Sequence, residues 1–260
     1  MALVQLTRED GIAYLTVNRP EVLNAIDVST AWAISESVQA LNGDVTVRCI
    51  VLRGAGRAFI AGGDLARFAE DFDKAAEVVD ELLDALHPAI LSLRSHAAPV
   101  VASVHGAVAG AGLSLMSACD LVIAAEGTRF MVAYDRVGAS PDCGGTYFLP
   151  RVVGRRRAAE FMFLSDVWTA ESALQAGLVN RVVPLERLAA ETERVAVKIA
   201  AGPTQAYGAF KRLLDTGERS GLADHLERER AAFKAATKTA DFRAGVSAFL
   251  SKGTPEFTGN

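Results

Sequence analysis

Cysteine is scarce in this chain: Cys49, Cys119 and Cys143 lie far apart and in no Cys-x-x-Cys spacing. That excludes a disulfide framework and a cysteine-based zinc site, and predicts reduced, mostly buried thiols. The four histidines, His87, His96, His105 and His225, are equally dispersed, so each is read as structural and no metal is expected. Basic charge is not in excess, since 27 Lys and Arg face 31 Asp and Glu for a net charge of -4. With no arginine-rich or aromatic-interleaved stretch either, no nucleic-acid partner is expected. No apolar run reaches the roughly 18 residues of a membrane span. The opening MALVQLTREDG has neither the charged nor the apolar region of a signal peptide, so a cytoplasmic protein without membrane contact is predicted. Three catalytic signatures are missing as well. There is no Gly-x-Ser-x-Gly elbow and no Gly-Lys-Ser/Thr phosphate loop, and Gly112 is followed by Leu113, Ser114 and Leu115 where a dinucleotide fingerprint needs a third glycine.

What remains is a chain half hydrophobic and 22% charged, enough for one main core. Residues 3–7 (LVQLT) and 12–17 (IAYLTV) are short β-forming segments across Asp10-Gly11, which predicts a hairpin. Ser29 is placed to cap a helix running to about Leu41, and a strand is expected over residues 48–53 (RCIVLR). The loop GAGRAFIAGGDL follows, ending at a helix-capping Asp64, then a helical stretch over residues 74–96 broken by Pro88. Residues 99–104 and 121–125 read as buried strands on either side of HGAVAGAGLSLMSACD, which holds three glycines and four alanines. Further strands are expected at 128–132 and 179–183, and helices at 154–164 and 169–176. From about residue 186 to 250 the pattern is amphipathic helix with breaks at Gly202-Pro203, Thr216-Gly217 and near Thr239. That tail either packs over its own core or covers a neighbouring subunit.

Three loops stand out. The stretch around Gly110 to Gly112 exposes backbone, and a helix opening there aims unpaired amides outward. An anion, or a carbonyl oxygen gaining charge, is the natural guest, while tight packing of a glycine-rich helix on a strand is the other explanation. AGGDL is a second loop of backbone donors, and RVGASPDCGGT (residues 136–146) is a third glycine-bearing loop carrying Asp142. Two donor loops and one carboxylate loop are what polarising a carbonyl and moving a proton beside it requires. Asp135 is a rival carboxylate, expected to be ion-paired with Arg136.

NRPEVLNAI (18–26), FIAGGDL (59–65), HGAVAGAGLSL with CDLVIAA (105–125) and PDCGGTYFLPRVVG (141–154) together resemble the crotonase, or enoyl-CoA hydratase/isomerase, superfamily over nearly the whole chain. The resemblance implies an α/β fold: a crotonase-type spiral of repeated strand-strand-helix units with a C-terminal helical region. It divides the chain into a core over residues 1–200 and a helical region over 201–260 that serves trimerisation and covers the site, and it implies a homotrimer or dimer of trimers. It also implies an acyl-CoA thioester as ligand, with coenzyme A part of the substrate and no separate cofactor. The thioester oxygen would sit in an oxyanion hole made by the amides of Gly63 and Ala111. The coenzyme would run past Val22, Leu23, Ala61, Asp64 and Leu65, with Lys211 as a phosphate partner or, alternatively, a residue of a solvated helix face.

Departures from the family pattern bear on the reaction. Typical hydratases place two glutamates where this chain has Ser114 and Tyr134, so hydration by that route is not expected, and Tyr134 is read as a pocket wall. The PDCGGT loop resembles that of the epoxyphenylacetyl-CoA isomerase and enoyl-CoA isomerase branch, which makes Asp142 the expected acid/base of a double-bond shift or epoxide rearrangement; an exposed loop aspartate or helix cap is the plainer reading. The alternatives are an enoyl-CoA hydratase using Asp142 alone, or a silent acyl-CoA- or RNA-binding member.

Overall fold

The computed structural model describes residues 2–260. Asp10 and Gly11 both take positive φ, 47° and 78°, which gives a two-residue turn the twist that matches its flanking strands. They join β1 (Val4–Glu9) to β2 (Ile12–Val17) with Glu9 opposite Ile12 and Val4 opposite Val17. The chain continues through α1 (Val28–Gln39), β3 (Cys49–Gly54), α2 (Leu65–Ala69), α3 (Ala75–Ser95), β4 (Val100–Val104), β5 (Ala107–Ala109) and α4 (Ala111–Ser117). Then come β6 (Leu121–Ala125), β7 (Arg129–Met131), α5 (Gly145–Val153), α6 (Arg155–Leu164), β8 (Trp168–Thr169), α7 (Ala170–Ala176) and β9 (Arg181–Val183). Four helices close the chain: α8 (Leu188–Ala200), α9 (Thr204–Gly217), α10 (Leu222–Ala236) and α11 (Ala240–Leu250).

The main sheet has the order β1-β2-β3-β4-β6-β9, parallel from β2 onward, and a small sheet has the order β5-β7-β8. The runs β4-β5-α4 and β6-β7-α5 each give one strand to the main sheet, one to the small sheet, and then a helix. That is the expected spiral unit. The central strands are apolar on both faces because both faces are covered. Ile12, Cys49, Val51, Val101 and Ile123 pack under α8, while their neighbours Ala13, Ile50, Leu52, Val100 and Ala102 face α1 and α3. Burial pushes the Cys49 and Cys119 thiols up to about 12, and all three cysteines are free.

Several local expectations are corrected. Asp27, not Ser29, caps α1, its Oδ1 accepting from the Thr30 amide at 2.7 Å and the Thr30 hydroxyl at 2.6 Å. Helix α3 runs through Pro88 without a break. Pro88 and Asp84 are both exposed, so the carbonyl that loses its helical partner faces water. Asp64 precedes α2 but makes no side-chain cap, its carboxylate being drawn instead to Arg19. Helix α5 begins inside the loop read as extending to Thr146. The tail helices break where expected, yet α10 buries no residue and Phe210, Phe233 and Phe249 are exposed. Among the described residues, no helix is long and apolar enough to cross a membrane.

Candidate active site

Asn24 organises the loop between β2 and α1. Fully buried, it holds φ at 58°, a left-handed conformation that asparagine tolerates better than most residues. Its Oδ1 accepts from the Arg19 amide at 2.8 Å, and its Nδ2 reaches the carbonyls of Ala55, Ala58 and Phe59 at 2.8 to 3.0 Å. This one amide therefore ties the loop after β2 to the loop after β3. The Ala61 amide donates to the Leu23 carbonyl at 3.1 Å and the Asp64 amide to Ile26 at 2.9 Å. Arg19 adds a contact to the Ala25 carbonyl at 2.6 Å and to the carboxylates of Asp27 and Asp64, each at 3.2 Å. Leu23, Ala61 and Asp64 are thus brought onto one rim, with Val22 and Leu65 exposed on the same two loops. Sequence reading missed Arg19 and Asn24. Their signal was an asparagine and an arginine flanking a proline turn, and it names no partner.

The AGGDL loop and the stretch that leads into α4 meet through backbone pairing. Ile60 and Val108 form a parallel bridge, with the Ala109 amide donating to the Ile60 carbonyl at 3.1 Å. Carried on, that register brings Gly62 beside Gly110, close enough that a Cβ on Gly110 would lie 3.4 Å from the Gly62 Cα. Gly110 sits at φ 51°, ψ -126°, backbone that a side chain would strain. A Cβ on Gly112 would fall 2.2 Å from the Ile60 carbonyl oxygen, so only glycine lets α4 approach this loop. One step further along both loops stand Gly63 and Ala111. Neither amide donates to a backbone carbonyl among the described residues, because the bridge of Gly63 to Ile26 uses the flanking Gly62 carbonyl and Asp64 amide.

The carboxylate arrives from the other side of α4. Cys143 and Gly144 both take positive φ, 51° and 80°, turning the chain sharply into α5 while the Gly145 amide donates to the Asp142 carbonyl at 2.9 Å. A Cβ on Gly145 would meet the Ser114 hydroxyl at 2.6 Å, so this glycine allows α5 and the Asp142 turn to sit against α4. The Tyr134 phenol donates to Asp142 Oδ1. Ser114 lines the same crevice from α4, its hydroxyl donating to the Gly110 carbonyl at 3.4 Å. Burial above all, then the charge of Asp142 and the hydrogen bond to it, hold the phenol above the ordinary tyrosine range, so Tyr134 keeps its proton. Burial, and after it the same carboxylate, also push the Cys143 thiol up. Gly110, Ser114, Tyr134, Pro141 and Gly145 line a narrow crevice between these elements.

Two expectations fail here. Lys211 does not face a ligand: its side chain is 6% exposed, its Nζ pairs with Asp120 Oδ2 at 2.8 Å and also donates to the carbonyls of Leu93 and Ala98. A buried ammonium needs every donor satisfied, and core acceptors satisfy this one. Arg136 turns to Ser165 at 3.2 Å, leaving Asp135 exposed rather than ion-paired. Among the described residues, no group of three or more His, Cys, Asp or Glu side chains is placed to hold a metal.

With this geometry in hand, three comparisons bear on its use. The family model described as enoyl-CoA hydratase/isomerase matches residues 7–260. The 1,2-epoxyphenylacetyl-CoA isomerase of Escherichia coli K12 is 38% identical over 252 residues, 96% of each chain. The 2,3-dehydroadipyl-CoA hydratase of the same organism is 33% identical over 260 residues, the full length of both. The crystal structure of an enoyl-CoA hydratase from Polaromonas sp. JS666 superposes with a TM-score of 0.93 at 34% identity, covering 98% of this chain and 99% of that one.

Proposed function

Because this chain belongs to the enoyl-CoA hydratase/isomerase family, we propose that its site binds an acyl-CoA thioester and moves a proton within it, shifting a double bond along the acyl chain. The observation that supports this reading is the bridge of Ile60 with Val108 and the close approach of Gly110 to Gly62, the residues just before Ala111 and Gly63, whose amides have no backbone acceptor among the described residues. Two such donors stabilise an enolate oxygen more than a neutral thioester oxygen, each lowering the barrier by about 3 kcal/mol. Val22, Leu23, Ala61, Asp64 and Leu65 form the rim along which the coenzyme lies. In the reaction, Asp142 takes a proton from the acidic carbon, the C–H electron pair moves into the conjugated system, and charge collects on the thioester oxygen. Asp142 then delivers a proton to another carbon as the charge flows back, either the one it took or one its carboxyl group has exchanged with water. Proton and electrons balance within one substrate, with no water consumed.

Isomerisation is favoured over hydration because addition of water needs a group to orient the nucleophile as well as one to move the proton. Ser114 is packed in the core of α4 and Tyr134 retains its proton, so neither supplies a second base. The relative named a hydratase supports the other reading, in which Asp142 alone activates water. Offering 3-enoyl and 2-enoyl thioesters in deuterated water separates the two. Double-bond migration with deuterium entering the acyl chain is the expected result; hydroxyacyl product would replace the proposal with hydration, and binding without turnover would leave only a ligand-binding role. We further propose that the exposed apolar face of α10 and α11 is covered by other copies of the chain in a trimer or dimer of trimers. Light scattering is expected to give three or six chain masses, and a monomer mass would remove this assignment.

A further inference from the structure

We propose that Tyr134 is a positioning residue for Asp142: its phenol holds one carboxylate oxygen so that the group stays turned toward the substrate. This rests on the proton-shuttle reading of Asp142 and goes beyond treating Tyr134 as a wall. Three observations support it. The phenol donates directly to Asp142 Oδ1 across eight residues of chain. The carboxylate would otherwise be loosely held, because it stands on a sharp turn between an exposed loop and α5 and its backbone is fixed chiefly through the Gly145 amide. The phenol ring is itself confined, since Tyr134 lines one narrow crevice with Ser114 of α4, the helix that carries Ala111, and with Gly145 of α5. Through Tyr134, which lies against α4 and bonds Asp142, the proton carrier is therefore referred to the same helix that bears one oxyanion amide. A carboxylate free to spin about its Cβ–Cγ bond would spend most of its time misaligned, and alignment errors of about an ångström cost on the order of a hundredfold in rate. Tyr134 acts through Asp142; it gives no proton to the substrate.

The test is a double-mutant cycle on the full-length protein with Tyr134→Phe, Asp142→Asn and the combined variant. Steady-state kinetics are measured on the enoyl thioester that wild type turns over, and residual activity is followed as slow deuterium entry at the acidic carbon. Tyr134→Phe is expected to lower kcat about 10- to 100-fold with KM within about twofold. In the Asp142→Asn background the same change should have less than about a twofold effect, because the group it positions is gone. Ser114→Ala, which loosens the crevice around the phenol, should lower kcat a few-fold in the same direction, and it decides the matter if Tyr134→Phe does not fold. A wild-type kcat in Tyr134→Phe would overturn the proposal, as would equal losses in both backgrounds or a change in KM alone; any of these leaves the Asp142 reading standing. Full turnover in Asp142→Asn would instead remove the proton-shuttle reading, and this inference with it.

Discussion

Asp142→Asn is expected to lower kcat on the order of a thousandfold while KM for the thioester stays within about threefold. Asparagine keeps the shape of the side chain and still offers an oxygen to the Tyr134 phenol, so the turn at Cys143 and Gly144 and the contact of Gly145 with Ser114 have no reason to move. What is lost is the group proposed to accept and return a proton. The amides proposed to hold the thioester oxygen, those of Gly63 and Ala111, are untouched, so the loss is expected to fall on kcat. The measurement is a Michaelis curve with a melting scan on the same sample. Unchanged turnover in a folded variant would transfer the acid/base role elsewhere, and a rise in KM with intact kcat would make Asp142 a binding group.

The largest stability effect is expected at Asp120. This carboxylate takes Arg94 at 3.0 Å on Oδ1, and on Oδ2 it takes Lys211 at 2.8 Å and the Val100 amide at 2.8 Å. Arg94 also bonds the Ala118 carbonyl and Asp215. One side chain thus gathers α3, β4, the turn before β6, and α9. Replacing Asp120 by Asn leaves the Lys211 ammonium buried without its counter-charge, which costs about 3–5 kcal/mol. For a chain of this size that lowers the melting temperature on the order of 10 °C. Lys211→Met removes the charge that needs a partner, and on the Asp120→Asn background it should recover part of the loss. Thermal melts of the two single variants and the double variant check this; equal, additive losses would show that Lys211 and Asp120 do not depend on each other. The same lysine variant is expected to leave KM for the thioester unchanged, which a phosphate-binding lysine would not.

The buried role of Lys211 was not legible in AFKRLL, because helical spacing tells which residues share a face but not that the face meets Asp120 some ninety positions earlier. The same limit hid Asn24 and the pairing of Tyr134 with Asp142, since each depends on a chain reversal with positive φ at a residue other than glycine. By contrast, Asp10-Gly11 announced its hairpin, and the apolar runs at 100–104 and 121–125 announced strands of a covered sheet, because turn chemistry and hydrophobic patterning act locally. Pro88 misled because its effect on a helix depends on which side faces water. Motifs in their family order carried the fold further than periodicity did, since the short strands β5 and β8 are too brief to show a period.

The parallel bridge of Ile60 with Val108 has an evolutionary consequence. Both amides proposed to hold the enolate belong to the peptide backbone, and their spacing is set by pairing between two loops rather than by any side chain. Substitution at Ser114, Tyr134 or Asp142 can therefore rewrite the acid and base groups while the electrophilic socket stays as it was. A lineage built on this scaffold can change reaction by exchanging three side chains, without passing through an intermediate that has lost its hold on the substrate.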